Sequence, residues 1–307
     1  MNSDAKITLS KTSKLLELEK NNPKVQLLLN NLDFFDNICN FILEKGESLK
    51  YEFKTLSKLS NDDAFNLSNL VLSTFSSSYP SILEQYKKDN RLIVTDESKN
   101  LMGSGNAFLD GKDNKIKIRL GLHNDIFDPY LIVHEFMHSL NENNPRSLDR
   151  ELLTEVFAIY SEYLVSDYLE NNNINNIENT ELLKLRLFTM QNRLSNLKEY
   201  IHNIRELNTN KDELNINDEE ISVFDIGNFL STIQYAFGNI TAIMLFKRHQ
   251  DGLFDNDTYS RLNEEMKDSS DYKVFNELFM NGLDYNEFVS SYESIIKYIN
   301  KENSLSK

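Results

Sequence analysis

The chain has 307 residues, 40% of them hydrophobic and 26% charged, which is enough apolar content for one large core or two smaller ones. The net charge of -15 is spread over many short acidic stretches, which argues against nucleic acid and anionic membranes as partners. Cys39 is the single cysteine, so an internal disulfide framework and a cysteine-based metal site are both excluded.

Gly and Pro are scarce (9 and 4), and apolar residues recur at helical spacing, so the chain is expected to be mainly α. Residues 1–90 read as an N-terminal helical region, with helices over Lys24–Glu47, Leu49–Ser60 and Asp62–Ser77. Asn61 is the expected cap of the third, ahead of the acidic pair Asp62 and Asp63. Residues 91–307 read as a second region that carries the chemistry. It opens with a small sheet over 91–120: a β-like run Arg91–Thr95, a break at Gly103–Gly105, and a hairpin. In the hairpin a strand over Asn106, Ala107, Phe108 and Leu109 turns at Asp110–Asn114 into the alternating Lys115–Leu120.

Two helices follow over 125–170. Asp128 is placed to cap the first, with Pro129 at its first position, and Asn143-Asn144-Pro145 ends it. This helix carries His134-Glu135-Phe136-Met137-His138. Histidines four apart share one helix face and can grip one metal ion, while Glu135 stands beside them to take a proton from a metal-bound water. Two imidazoles suit zinc, one ion per chain, and imply a zinc hydrolase.

Catalytic zinc usually takes three protein ligands. A third histidine from the same segment is excluded, because Asn141 and Asn144 stand where the extended motif needs Gly and His. The next helix, Asp149–Leu169, offers Glu151, Glu155 and Glu162. Glu155 and Glu162 are seven apart on one largely apolar face, where a carboxylate needs a cation or a hydrogen-bond partner. Glu155 is favoured as the ligand and Glu162 as the partner that orients a metal-bound histidine, with Glu151 as a solvated residue near the helix start. Asn171–Thr180 reads as a polar loop, followed by C-terminal helices over 181–300: Glu181–Glu206, an acidic loop Asn208–Glu220, Val223–Gln250, and further helices to the end. No run of roughly eighteen apolar residues marks a membrane span. Met1–Lys20 lacks a signal-peptide core, so a cytoplasmic protein is the default expectation, with secretion by an unusual route equally compatible.

The stretch Leu152–Leu169 resembles the glutamate helix of the oligoendopeptidase F group within the thimet-type metallopeptidases, which are zincins of the gluzincin type. The first Glu of that pattern falls on Glu155 and the second on Glu162. Ile233–Gly252 is similar to the family's Tyr-x-Tyr-Ala-x-Gly helix. The resemblance implies a helical zincin-like metallopeptidase that cleaves a peptide or protein substrate, with Glu135 as general base. Separately, Asn106–Leu109 resembles the edge strand that thermolysin-like and related Glu-zincins lay beside the substrate, which implies that Asn106, Ala107 and Phe108 pair with an extended peptide, against a competing reading as a hairpin strand with no substrate contact. The chain is shorter than a full member, and the His138–Glu155 spacing is tighter. Phe224–Ile233 lacks the His and Tyr that the family uses toward the oxyanion. Tyr235 is the remaining candidate donor, against a competing reading as a packing tyrosine. Two further readings stay open: a non-catalytic relative that binds metal and acts through protein interactions, and a specialised protease, a toxin or peptide-maturation enzyme, with one substrate.

Overall fold

In the computed structural model, residues 3–46, 57–96, 104–141, 148–172, 174, 176–209, 220–268, 272–280 and 282–305 are described. The helices, in chain order, begin with α1 (Ser3–Leu18), α2 (Pro23–Asn30), α3 (Leu32–Gly46), α4 (Asn61–Phe75) and α5 (Tyr79–Lys88). Strands β1 (Leu92–Asp96), β2 (Ser104–Asp110) and β3 (Lys115–Leu122) precede α6 (Asp128–Asn141) and α7 (Leu148–Asn171). Then come α8 (Asn176–Thr209), α9 (Val223–Gln250), α10 (Asn256–Asp268), α11 (Lys273–Leu278) and α12 (Tyr285–Leu305). The fold is mainly α with one small sheet.

The chain divides into two units. The smaller comprises Met1–Lys50, Leu187–Phe237 and Asn281–Tyr285. Within it Asn203 of α8 donates to Thr12 of α1 (3.2 Å), Arg205 of α8 pairs with Asp36 of α3 (3.0 Å), and Lys24 of α2 donates to Gln234 of α9 (2.7 Å). The Phe229 and Tyr200 rings meet at 4.9 Å, and Phe35 and Ile38 of α3 are fully buried.

The larger unit comprises Tyr51–Arg186, Gly238–Met280 and Asn286–Lys307. Its sheet has the order β1-β3-β2, with β1 parallel and β2 antiparallel to β3. The central strand buries Ile116, Ile118, Leu120 and Leu122. Alternation along β3 sends these side chains to one face, and α6 packs against β2 and β3. α6 in turn packs on α4 and α7, which bury Phe136, Phe65, Val71, Val156 and Phe157.

Several sequence expectations need correction. Lys24–Glu47 is two helices, because Asn31 leaves the helical region (φ -126°, ψ 30°) while its side chain donates to the Leu27 carbonyl at 2.9 Å. Most of Leu49–Ser60 lies outside the described residues. Its end, Ser57–Ser60, is extended and pairs its backbone across to Asn124 and Ile126. Ser60, not Asn61, caps α4: its hydroxyl oxygen accepts from the Asp63 N–H (3.1 Å) and its O–H donates to the Asp63 carboxylate (2.6 Å). Much of the expected Asn-rich loop is helical, since α7 runs to Asn171 and α8 starts at Asn176, and Asn172 donates its side-chain amide to the Tyr168 carbonyl (2.8 Å) at the end of α7. Finally, α9 contains a window of mean hydropathy 1.3, long and apolar enough for a membrane span by composition. Of that window 78% is buried inside the protein.

Candidate active site

The start of α6 is fixed by Asp128 in a way that differs from simple capping. Its carboxylate turns back to the preceding loop and accepts the backbone N–H groups of His123 (2.9 Å), Asn124 (2.8 Å) and Asp125 (3.3 Å). Asp128 is fully buried, and that burial raises its pKa against the lowering effect of the three N–H donors.

Two turns into α6, the ligand-type residues converge. His134 Nε2 and His138 Nε2 are 3.0 Å apart, with ring planes at 76°. Glu155, from α7, brings Oε1 to 3.5 Å from His138 Nε2 and Oε2 to 3.9 Å from His134 Nε2. All three ligand atoms lie within 4.8 Å of one another. Three ligands on a tetrahedral zinc at 2.0–2.1 Å are spaced by about 3.3 Å, so the donor set fits that ion. A second observation agrees: Glu155 Oε2 is buried and receives no hydrogen bond, as expected of an oxygen reserved for a cation. Gly238 of α9 makes room for this carboxylate, since a β-carbon there would sit 3.0 Å from Glu155 Cβ and 3.1 Å from Ile159 Cδ1.

The tautomer of His134 follows from its other nitrogen. Nδ1 lies 2.5 Å from Glu162 Oε1, so Nδ1–H donates and Nε2 keeps its lone pair toward the site. Burial, then the neighbouring His138 and Arg186, hold the His134 pKa well below the ordinary imidazole value, which keeps the ring neutral. Glu162 is only 1% exposed, and its second oxygen pairs with Arg186 of α8.

Glu135 is 6% exposed beside this cluster. Burial pushes its pKa up to about 7, opposed by His138 and helped by Glu155. It also accepts the backbone N–H of Ala107. That contact tells which way β2 faces. Ile118, opposite Ala107, donates its N–H to Arg91 on the β1 side (2.9 Å). Ala107 therefore belongs to a non-hydrogen-bonded pair, and its peptide groups point to the outer edge of the sheet. By the same alternation Gly105 and Leu109 face outward, whereas Asn106 and Phe108 turn theirs toward β3. Of the three strand residues singled out from sequence, Ala107 turns its backbone to the outer edge, where its N–H donates to Glu135.

Tyr235 lies in the smaller unit, where the Arg193 guanidinium stands 4.7 Å over its ring. Sequence reasoning missed Arg186, Gly105 and the packing role of Gly238. Arg186 had a weak signal at most, since Lys184 and Arg186 both interrupt the leucines of Leu182–Leu187. His249 is a packing residue: its Nδ1 lies 3.0 Å from the Phe254 carbonyl and its ring meets Tyr160 edge-on.

Comparison with known proteins bears on the fold. No protein-family model and no curated protein sequence matches the chain. Solved structures do. A candidate peptidase of Chlamydophila abortus superposes with a TM-score of 0.62 at 15% identity, over 91% of this chain and 55% of that one. A candidate oligoendopeptidase F of Bacillus anthracis gives 0.54 at 12% identity, over 91% and 56%. A further candidate oligoendopeptidase F gives 0.50 at 10% identity. The chain thus shares the oligoendopeptidase F fold and spans about half the length of these structures.

Proposed function

We infer that the chain is a metal-dependent peptidase that acts on a peptide or protein substrate. The reading is carried by one observation: two imidazole nitrogens and a buried, unpartnered carboxylate oxygen converge next to a second buried carboxylate with a pKa of about 7. The fold shared with candidate peptidases supports it.

His134, His138 and Glu155 would hold one zinc ion. When bound, such a metal polarises the substrate carbonyl and acidifies water. The remaining work falls to side chains and backbone. Glu135 receives a proton on its carboxylate from the attacking water and delivers it to the leaving amine. Its burial raises its pKa in the metal-free protein, the direction that favours a carrier of the proton. The outer edge of β2 pairs with an extended substrate, main chain to main chain, which aligns the scissile bond without reading its side chains. Glu162 keeps His134 in the ligating tautomer. Tyr235 is assigned as oxyanion donor on the resemblance of its segment alone, and an unchanged kcat/KM in Tyr235→Phe would remove it.

The test is metal analysis combined with turnover of a quenched-peptide library. Wild type is expected to bind one zinc and cleave, while Glu135→Gln binds zinc and loses most turnover. Zinc bound without cleavage by wild type, or equal cleavage by the variant, overturns the enzyme reading. Full metal content in Glu155→Ala overturns the ligand assignment.

A further inference from the structure

We propose that Arg186 is a positioning residue of the metal site: acting through Glu162, it fixes the His134 ring and thereby sets the affinity for a divalent cation. The proposal rests on the metal-peptidase reading above, and Arg186 itself touches neither metal nor substrate.

Glu162 is 1% exposed and divides its oxygens between two partners, Oε1 on His134 Nδ1 at 2.5 Å and Oε2 on Arg186 Nη2. A Glu carboxyl turns freely about its last torsion, which is broad and two-fold. A neutral imidazole N–H alone is a weak constraint on that rotation. The guanidinium is planar, permanently charged and rigid, so it pins one oxygen and leaves the other aimed at His134. It also compensates the charge of a carboxylate that is buried. With Arg186 gone, Glu162 loses an orienting partner and its counter-charge, and the His134 ring is held less firmly. Leu182, Leu183, Leu185 and Leu187 are all buried, and Arg186 lies among them with its guanidinium on Glu162.

An ordinary structural ion pair between α7 and α8 would look similar, and affinity measurements separate the two. Zn2+ affinity is read by competition with a chromophoric chelator for wild type, Arg186→Met, Arg186→Lys, Glu162→Gln and the Arg186→Met/Glu162→Gln double variant. Thermal unfolding of each metal-free protein is followed in parallel. Arg186→Met is expected to bind zinc about 10–100-fold more weakly, as loss of an orienting partner usually does. In the Glu162→Gln background the same substitution is expected to add nothing, because the route to the metal is already cut. Arg186→Lys keeps the charge but loses the planar fork, and should bind more weakly than wild type with little change in Tm. That variant carries the test if Arg186→Met does not fold. Wild-type affinity in Arg186→Met or Arg186→Lys, or an undiminished effect of Arg186→Met on top of Glu162→Gln, overturns the proposal alone. A wild-type chain that binds no zinc overturns the reading of the site together with it.

Discussion

Gly105 stands so close to Glu135 that a β-carbon on the glycine would lie 2.4 Å from both Cγ and Oε1 of the glutamate. No side chain fits between strand β2 and the buried carboxylate. Gly105→Ala must therefore push the glutamate aside or spread the strand from α6. Turnover is expected to fall by about 100-fold or more, the usual consequence of a misplacement near 1 Å. Zinc content should stay at the wild-type level, because His134, His138 and Glu155 do not touch Gly105. Steady-state kinetics with metal analysis checks both halves, and a fully active variant would falsify the close approach.

Gly238 predicts a different pattern. A β-carbon there meets Glu155 Cβ at 3.0 Å and Ile159 Cδ1 at 3.1 Å. Gly238→Val overpacks the contact between α9 and α7, at a cost of about 1–3 kcal/mol. The displaced atoms belong to Glu155, the proposed third ligand, so weaker zinc binding should accompany the lower urea midpoint. A destabilised variant with unchanged affinity would show that Glu155 gives way without moving its carboxylate.

Asp149, also fully buried, accepts the N–H groups of Val274 (2.7 Å) and Phe275 (2.9 Å), and so caps α11 from another helix. Asp149→Ala strands two donors inside the protein. A loss of about 2–4 kcal/mol is expected, from roughly 1–3 kcal/mol per unsatisfied buried group. Chemical denaturation of the metal-free protein measures it, and a change under 1 kcal/mol on the order expected for a surface site would contradict the cap.

Metal-free stability should also carry the signature of Glu135. Its pKa is about 7 in the fold against 4.5 for the free side chain, with burial as the main cause. The unfolded chain releases the proton first as pH rises. Stability is therefore highest below about pH 4.5 for this group and declines until the folded protein also ionises, near pH 7. Relative to Glu135→Gln, metal-free wild type should lose up to roughly 3 kcal/mol across that window. Parallel stability curves for the two proteins that do not diverge between those pH values would show that the carboxylate is hydrated.

What sequence made legible here was local. His134, Glu135 and His138 share a helix turn, and Glu155 and Glu162 share the next helix face, so spacing alone places them. The hairpin was legible for the same reason, since period-two alternation flanks a turn at Asp110–Asn114 and Asn114 takes the left-handed φ of 53° that Asn tolerates. Relationships between segments were not legible. Arg186 reaches Glu162 across two helices, Gly105 meets Glu135 from a strand, and Asp149 caps α11 from far along the chain; none of these leaves a periodic trace. Asparagine misled twice in opposite directions. Asn31 broke an expected helix, whereas the Asn-rich segment after α7 held far less loop than its composition suggested, because the same side chain can compete with a helix or finish one.

Asp128, clamped to three successive peptide N–H groups at the end of β3, also sets the phase of the helix it begins. Five residues separate it from His134, and each residue turns an α-helix by about 100°. Inserting or deleting one residue in Pro129–Val133 would swing both imidazoles a quarter turn or more away from Glu155 while leaving every side chain of the motif intact. That stretch is a ruler: its residue types can vary within an apolar helix, but its length cannot.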